Sequence, residues 1–305
     1  MNILIIGGNG FIGSHLIDHL LLDGRNKVRV FDISQERFRE PLKNVDYRFS
    51  RLDSVADLYE AMLGIDIIYH LATTSVPSTS NVDQVADVQG NLVTSLHILD
   101  LMNRLGIRKL VYLSSGGAVY GNIDQDIIGE DAPIKPISSY GIVKATVEHY
   151  IRLHKRLYGM EYLIVRPSNP YGPRQGHFIA QGVISTFLRK AAMGESLSVY
   201  GDGSATKDYI YIGDFVSILC KLVDMNIQGT FNLGSGIGTD INEIIGCINT
   251  VTAIDNTVVF TPQKSYDVQK FVLDISKLKA AIGEIEFTSL DKGISNTWDW
   301  VRTIK

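Results

Sequence analysis

The stretch NILIIGGNGFIGSHL, Asn2–Leu16, joins an unbroken apolar run to three glycines at G-x-x-G-x-x-G spacing, Gly7, Gly10 and Gly13, and then to a helical pattern. Glycines let a chain leave a strand in a tight turn and let its backbone approach a pyrophosphate, which then rests on the N–H groups that open the following helix. Here those groups belong to Phe11, Ile12 and Gly13. Many glycine series mark only a tight turn. The next apolar run, KVRVFD, adds a second signal, because it closes on Asp32 about 20 residues further on, where a carboxylate takes both ribose hydroxyls of NAD. The same charge repels a 2′-phosphate, so NAD is expected rather than NADP. Asp53 in SRLDS, after one more strand, is a candidate adenine contact, with a solvated loop acid as the plain alternative.

The runs IDIIYHLA, KLVYLSS and YLIVRP are apolar throughout rather than at every second residue, and helical sequence separates them. Strands buried on both faces read this way, so the fold class is α/β, a doubly wound parallel sheet with helices on both faces. Beyond about Arg166 the pattern loosens into loops rich in Gly, Pro and Asn with scattered helices. A smaller C-terminal α/β substrate-binding domain is expected there, 169–305 against 1–168, with some segments returning to the first domain. A chain of 305 residues, 45% of them hydrophobic, suits one large α/β unit or two closely joined domains. Its net charge of −4 supplies no electrostatic reason to expect a nucleic-acid partner.

No apolar run approaches the roughly 20 residues that span a bilayer, so no membrane partner is expected. The apolar start MNILIIGG lacks a basic leader region and breaks at Gly7, which reads as a buried strand rather than a signal peptide. Cys220 and Cys247 are too few for a disulfide framework and lack metal-ligand spacing. A cytoplasmic location and a site without metal are expected.

SSYGIVK, Ser138–Lys144, supplies a candidate base. Tyr140 and Lys144 stand four apart on a helical pattern and therefore share one face. A free tyrosine has a pKa near ~10, too high for a base at neutral pH, but a neighbouring ammonium and a cationic nicotinamide ring both favour the phenolate. Tyr-x-x-x-Lys is common on amphipathic surface helices. This one follows a dinucleotide turn and the serine-bearing strand end KLVYLSS, in that order.

Together, GGNGFIGSHL, IIYHLA, LSSGGAVYG, SSYGIVKATVEHY, VRPSNPYGPRQ, GDGSATKDYIYIGD, FNLGSG and the closing TWDW resemble the extended short-chain dehydrogenase/reductases. Within these they are most similar to the nucleotide-sugar epimerases and dehydratases of the UDP-glucose 4-epimerase kind, and the likeness covers nearly the whole chain. It implies a Rossmann-like NAD domain, a small C-terminal domain for a nucleotide sugar, and a homodimer formed through two helices per subunit near Asn91–Leu105 and Tyr140–Tyr158.

The resemblance also implies roles. Tyr140 matches the family's base and Lys144 its assisting lysine. In the familiar epimerases a Ser or Thr stands four residues before the tyrosine of a Val-Tyr-Gly turn, and that position here is Gly116. Relatives with a Gly-Gly pair carry one extra residue in this loop, which moves the role to Ser115 and turns Ser114 into the backbone network. Leu71, Ala72 and Thr73 match the strand end that packs along the cofactor, and Asn91 a residue beside the nicotinamide; His70, just before them, reads as structural. On the substrate side, Asn169 matches an asparagine on the diphosphate, and Gly182 and Val183 open a helix whose N–H groups suit a phosphate. Lys207 and Lys264 stand where relatives carry arginines on the diphosphate, and lysine keeps the charge but loses the bidentate fork. Asp267 and Tyr209 are further candidates, with a structural role as the alternative. Phe271 falls where 4-epimerases carry a residue that walls off the C2 substituent of the hexose, or else is a core aromatic of a strand.

Gly116 and Gly117 separate the possible reactions. The 4,6-dehydratases that this chain resembles place an acidic pair after the Ser or Thr, because eliminating water needs a separate acid and base. Glycines supply neither. The expected reaction is 4-epimerisation of a nucleotide sugar, a UDP-hexose first, through a 4-keto intermediate. A 4-ketoreductase, an epimerase for another nucleotide sugar, and a non-catalytic NAD-binding regulator are the alternatives.

Overall fold

The computed structural model describes residues 1–123, 125–176, 182–262 and 270–304. Along the chain run β1 (Asn2–Ile6), α1 (Phe11–Leu22), β2 (Lys27–Asp32), β3 (Val45–Phe49), α2 (Val55–Met62), β4 (Ile67–His70), α3 (Gln84–Asp87), a π-helical segment (Val88–Val93), α4 (Thr94–Leu105), β5 (Lys109–Leu113), α5 (Gly116–Tyr120), α6 (Ser139–Tyr158) and β6 (Glu161–Pro167). There follow β7 (Asn169–Tyr171), α7 (Val183–Met193), β8 (Leu197–Tyr200), β9 (Thr206–Tyr211), α8 (Ile212–Asp224), β10 (Gly229–Leu233), β11 (Gly238–Asp240), α9 (Ile241–Thr252), β12 (Val258–Thr261), β13 (Lys270–Phe271), α10 (Ser276–Ile282) and α11 (Leu290–Val301). Two compact units divide the chain. The first is Met1–Ile123, Asp131–Pro167 and Leu219–Phe231; the second is Asp124–Glu130, Ser168–Ile218 and Asn232–Lys305. The stretch 124–130, inside the span 1–168, thus falls in the second unit, and 219–231 falls in the first.

The first unit holds a seven-stranded sheet in the order β10-β6-β5-β4-β1-β2-β3. The pairings from β6 across to β3 are all parallel. Strands of β-branched and aromatic residues suit such a pleated, doubly covered surface, and β1, β4 and β5 are buried along nearly their whole length. Leu4, Ile68, Leu110 and Ile164 of the sheet pack in one core with Leu58 and Met62 of α2, Ile98 and Met102 of α4, and Val147 and Ile151 of α6. The structure is therefore the α/β, Rossmann-like doubly wound fold that the apolar runs predict. Strand β1 has β2 on one side and β4 on the other, so the winding reverses there. Open α/β sheets bind ligands in the crevice at the C-terminal ends of such strands.

In the second unit β9 pairs antiparallel with β11 and parallel with β13 and β7, while β8 and β12 form a separate parallel pair. Its core joins Ile184, Phe187 and Leu188 of α7, Ile244 and Ile248 of α9, and Ile294 and Val301 of α11.

Candidate active site

The glycine turn leaves β1 at the winding reversal. Gly7 has φ +87°, and a Cβ there would stand 2.7 Å from the Ala72 nitrogen, so the turn rests directly on the end of β4. Leu71 and Ala72 both donate their N–H groups to the Ile6 carbonyl, at 2.9 and 3.0 Å. A Cβ on Gly13 would meet the Gly7 carbonyl at 2.5 Å; only glycine lets α1 pack this close to the turn. No side chain caps α1 at Gly10, and Phe11 and Ile12 open the helix. At the end of β2, Asp32 accepts from the N–H of Asn9 at 3.0 Å and of Ser34 at 2.9 Å. Burial raises the Asp32 pKa, and those two N–H groups partly offset the rise. Asn9 is fully buried, and its Oδ1 has no partner among the described residues. A glycine cradle that a Cβ would fill, a helix start without a side-chain cap, an acid with free lone pairs and an unmatched buried acceptor together fit a dinucleotide. Asp53 is exposed and paired to Arg51 at 2.7 Å, which is the geometry of a solvated loop acid.

The second cluster gathers at the ends of β5 and α6. Ser115 caps the short α5, accepting from the Ala118 N–H at 3.4 Å, and its hydroxyl is within hydrogen-bonding reach of the Tyr140 phenol. Ser114 points elsewhere: its hydroxyl donates to Glu148 Oε1 at 2.7 Å, a side-chain carboxylate rather than the expected backbone network. Lys144 is buried, donates to the Leu113 carbonyl at 2.8 Å, and holds its Nζ 5.7 Å from the centre of the Tyr140 ring. Burial lowers Lys144 to about 8, against the smaller raising effects of Glu148 and Asp87. Burial likewise pushes Tyr140 up to about 12; the hydrogen bond with Ser115 lowers it and the charge of Asp87 raises it. In the chain alone burial therefore outweighs the help expected from the lysine. His70 is buried against Tyr112 with its Nε2 2.9 Å from the Ser95 hydroxyl, and burial, then the Lys144 charge, holds it down to about 3. It stays a neutral packing residue.

Asn91 lies in the π-helical segment, a distortion frequent at functional sites. Its Oδ1 accepts from the Thr74 N–H at 2.8 Å, which ties the loop after Thr73 to the helix. Sequence reasoning missed the buried acids behind these groups. Glu148 accepts from Arg166 at 3.0 and 2.7 Å and from Arg152 at 2.8 Å, and Arg166 also donates to the Tyr120 hydroxyl at 2.8 Å. Burial would raise the Glu148 pKa, but its bonds to Arg166 and Ser114 outweigh that and lower it. One signal was available: Glu148 stands four residues after Lys144, on the same helix face.

In the second unit, Asn169 donates its Nδ2 to the Asp208 carbonyl at 2.8 Å. Lys207 on β9 stands opposite Phe271 on β13, and the Phe271 side chain is buried. Gly182, with φ +82°, and Val183 open α7, which no side chain caps. Tyr209 lies on β9 opposite Asn169. Lys264 and Asp267 lie outside the described residues.

A 4-epimerase-like relative from Methanocaldococcus jannaschii, "Putative UDP-glucose 4-epimerase", is 32% identical over 306 residues, covering 98% of each chain. "UDP-glucuronic acid decarboxylase 1" of Danio rerio is also 32% identical, over 97% of this chain and 71% of its own. The crystal structure of UDP-glucose 4-epimerase with UDP-glucose from Thermotoga maritima superposes with a TM-score of 0.93 at 31% identity, over 99% of both chains. One level of identity thus spans two reactions. The model of the NAD dependent epimerase/dehydratase family matches residues 3–234, and the chain belongs to that family.

Proposed function

We propose that the protein is an NAD-dependent nucleotide-sugar 4-epimerase acting on a UDP-hexose, UDP-glucose/UDP-galactose first. The observation that carries this reading is the Ser115 hydroxyl beside the Tyr140 phenol, followed at once by Gly116 and Gly117, which bring no acid or base. Such a site serves one proton and one hydride, and no elimination. The bound dinucleotide supplies the hydride acceptor and the hydride donor. Tyr140 takes the proton of the sugar hydroxyl while the carbon loses its hydride, and returns it when the hydride comes back to the other face of the ketone. Ser115 holds the reacting oxygen, and Lys144 brings its ammonium to the tyrosine ring. Gly7, Gly10, Phe11, Ile12, Gly13 and Asp32 hold the pyrophosphate and ribose; Leu71, Ala72, Thr73 and Asn91 flank the cofactor. Asn169, Gly182, Val183 and Lys207 bind the nucleotide diphosphate in this reading. Phe271, on the strand beside Lys207, fills the space at the sugar's C2. Work in a reducing cytoplasm, where Cys220 and Cys247 stay free thiols, is part of this reading.

The test is incubation of the purified protein with UDP-glucose, UDP-N-acetylglucosamine and UDP-glucuronic acid without added cofactor, with products read by NMR. UDP-galactose should form from UDP-glucose, and the acetylated sugar should be the poorer substrate, because seating an acetamido group against Phe271 costs on the order of 1–3 kcal/mol. Phe271→Ser should narrow the difference. Turnover only with supplied reduced nicotinamide would favour a ketoreductase, and release of carbon dioxide from UDP-glucuronic acid a decarboxylase.

A further inference from the structure

Asp87 is a buried carboxylate that the proposed chemistry leaves unused, yet three parts of the site meet on it. It closes α3 immediately before the π-helical segment. Its Oδ1 accepts from the Ser75 hydroxyl at 2.5 Å and from Asn91 Nδ2 at 2.8 Å, and its Oδ2 accepts from the Ser139 hydroxyl at 2.6 Å. Ser75 belongs to the loop that leaves β4 past Leu71, Ala72 and Thr73, and Asn91 holds the same loop through the Thr74 N–H. Ser139 is the first residue of α6 and precedes Tyr140; its N–H donates to Asn81 Oδ1 at 2.9 Å. All three groups on Asp87 are neutral donors.

We propose that Asp87 is a positioning residue that locks the start of the helix bearing Tyr140 to the loop on the cofactor side, so that the base and the cofactor are held in one register. This rests on the reading of Tyr140 as the base. A carboxylate suits the place because it only accepts, so three donors from three segments converge on it without competition. An amide of the same shape would present a donor to a donor and release one segment. The negative charge of Asp87 also acts through space, raising the pKa of both Tyr140 and Lys144. The other groups around that pair are the Ser115 hydroxyl from α5, Glu148 one turn further along α6, Tyr112 from β5 and His70 from β4.

The experiment compares Asp87→Asn, Ser139→Ala and Tyr140→Phe in the full chain with its cofactor. Asp87→Asn should lower kcat about tenfold while KM for the UDP-sugar stays within about twofold, since slight misplacement of a reacting group is costly. Its kcat–pH profile should move to lower pH, because the charge that raises both pKa values is gone. Ser139→Ala removes one bond and keeps the charge, so it should lower kcat without moving the profile. Amide exchange should quicken in Asp87→Asn at Thr74 to Val76 and at Ser139 to Gly141. Wild-type kcat with an unmoved profile in Asp87→Asn overturns the proposal, and so does a lost melting temperature with kcat per folded molecule intact. Should Tyr140→Phe keep its turnover, the reading of the base fails instead; an inactive Tyr140→Phe beside an unaffected Asp87→Asn sinks the positioning role alone.

Discussion

Tyr140 sits in surroundings that keep its phenol protonated at neutral pH, pushed up to about 12 by burial. As the proposed base, held back in this way, it depends on the groups that touch it, and the two serines at the end of β5 differ sharply in this respect. Ser115 reaches the phenol, whereas Ser114 is spent on Glu148. Tyr140→Phe should leave the fold and NAD binding nearly intact and cut turnover by at least ~10². Ser115→Ala should lower kcat less, because it removes orientation and not the proton acceptor. Ser114→Ala should act on the melting temperature more than on kcat. Steady-state kinetics and thermal melts on the three variants check this, and a larger kcat loss in Ser114→Ala than in Ser115→Ala would exchange the serines' roles.

Helix α6 carries Tyr140, Lys144 and Glu148 at successive four-residue steps, so one face of one element spans the base, the ammonium and the buried acid behind them. Glu148 is fully buried and satisfies Arg166, itself buried. Removing one partner of such a pair strands the other charge, at a cost of about 3–5 kcal/mol. Glu148→Ala should therefore destabilise the protein by that order in urea unfolding. Glu148→Gln keeps the shape and should cost less. The acid also ties α6 to the end of β5 through Ser114, so both variants should loosen the strand end that presents Ser115. The same helix turns an apolar stripe outward: Ile142, Tyr150, Leu153 and Leu157 are exposed at helical spacing. We propose that stripe as the contact face of a homodimer. Leu153→Glu with Leu157→Glu should give a monomer by light scattering where the wild type gives a dimer; an unchanged mass would place the interface elsewhere.

For the molecule as a whole, buried neutral His70 links stability to pH. Its folded pKa is about 3, while an unfolded histidine titrates near 6.5. Between these values the unfolded chain binds a proton that the folded chain refuses, so stability falls as pH drops from 6.5 toward 3. The loss attributable to this residue is at most on the order of 4–5 kcal/mol. Glu148, whose pKa is lowered, adds to the loss only below the ordinary carboxylate range. His70→Asn should flatten the decline in denaturation midpoint between pH 6.5 and 4. A decline equally steep in His70→Asn and in the wild type would refute the assignment of a buried, neutral imidazole.

The fold was legible in the amino-acid order because its signals are local. Apolar runs mark the doubly covered strands, glycines three apart mark the turn off β1, and a tyrosine and lysine four apart mark a helix face. Asp32 was legible for the same reason, being the last residue of its strand. The different partners of Ser114 and Ser115, the opposition of Lys207 and Phe271, and the hubs at Asp87 and Glu148 come from packing and strand register. The bonds that define those hubs join residues far apart in the chain, Ser114 with Glu148 and Ser139 with Asp87. Sheet register and helix docking bring such residues together, and only burial makes their charges matter. Neither is written in the spacing of any single segment, so the residues proposed to carry the chemistry could be named from the sequence, while the side chains packed behind them appeared only in the folded chain.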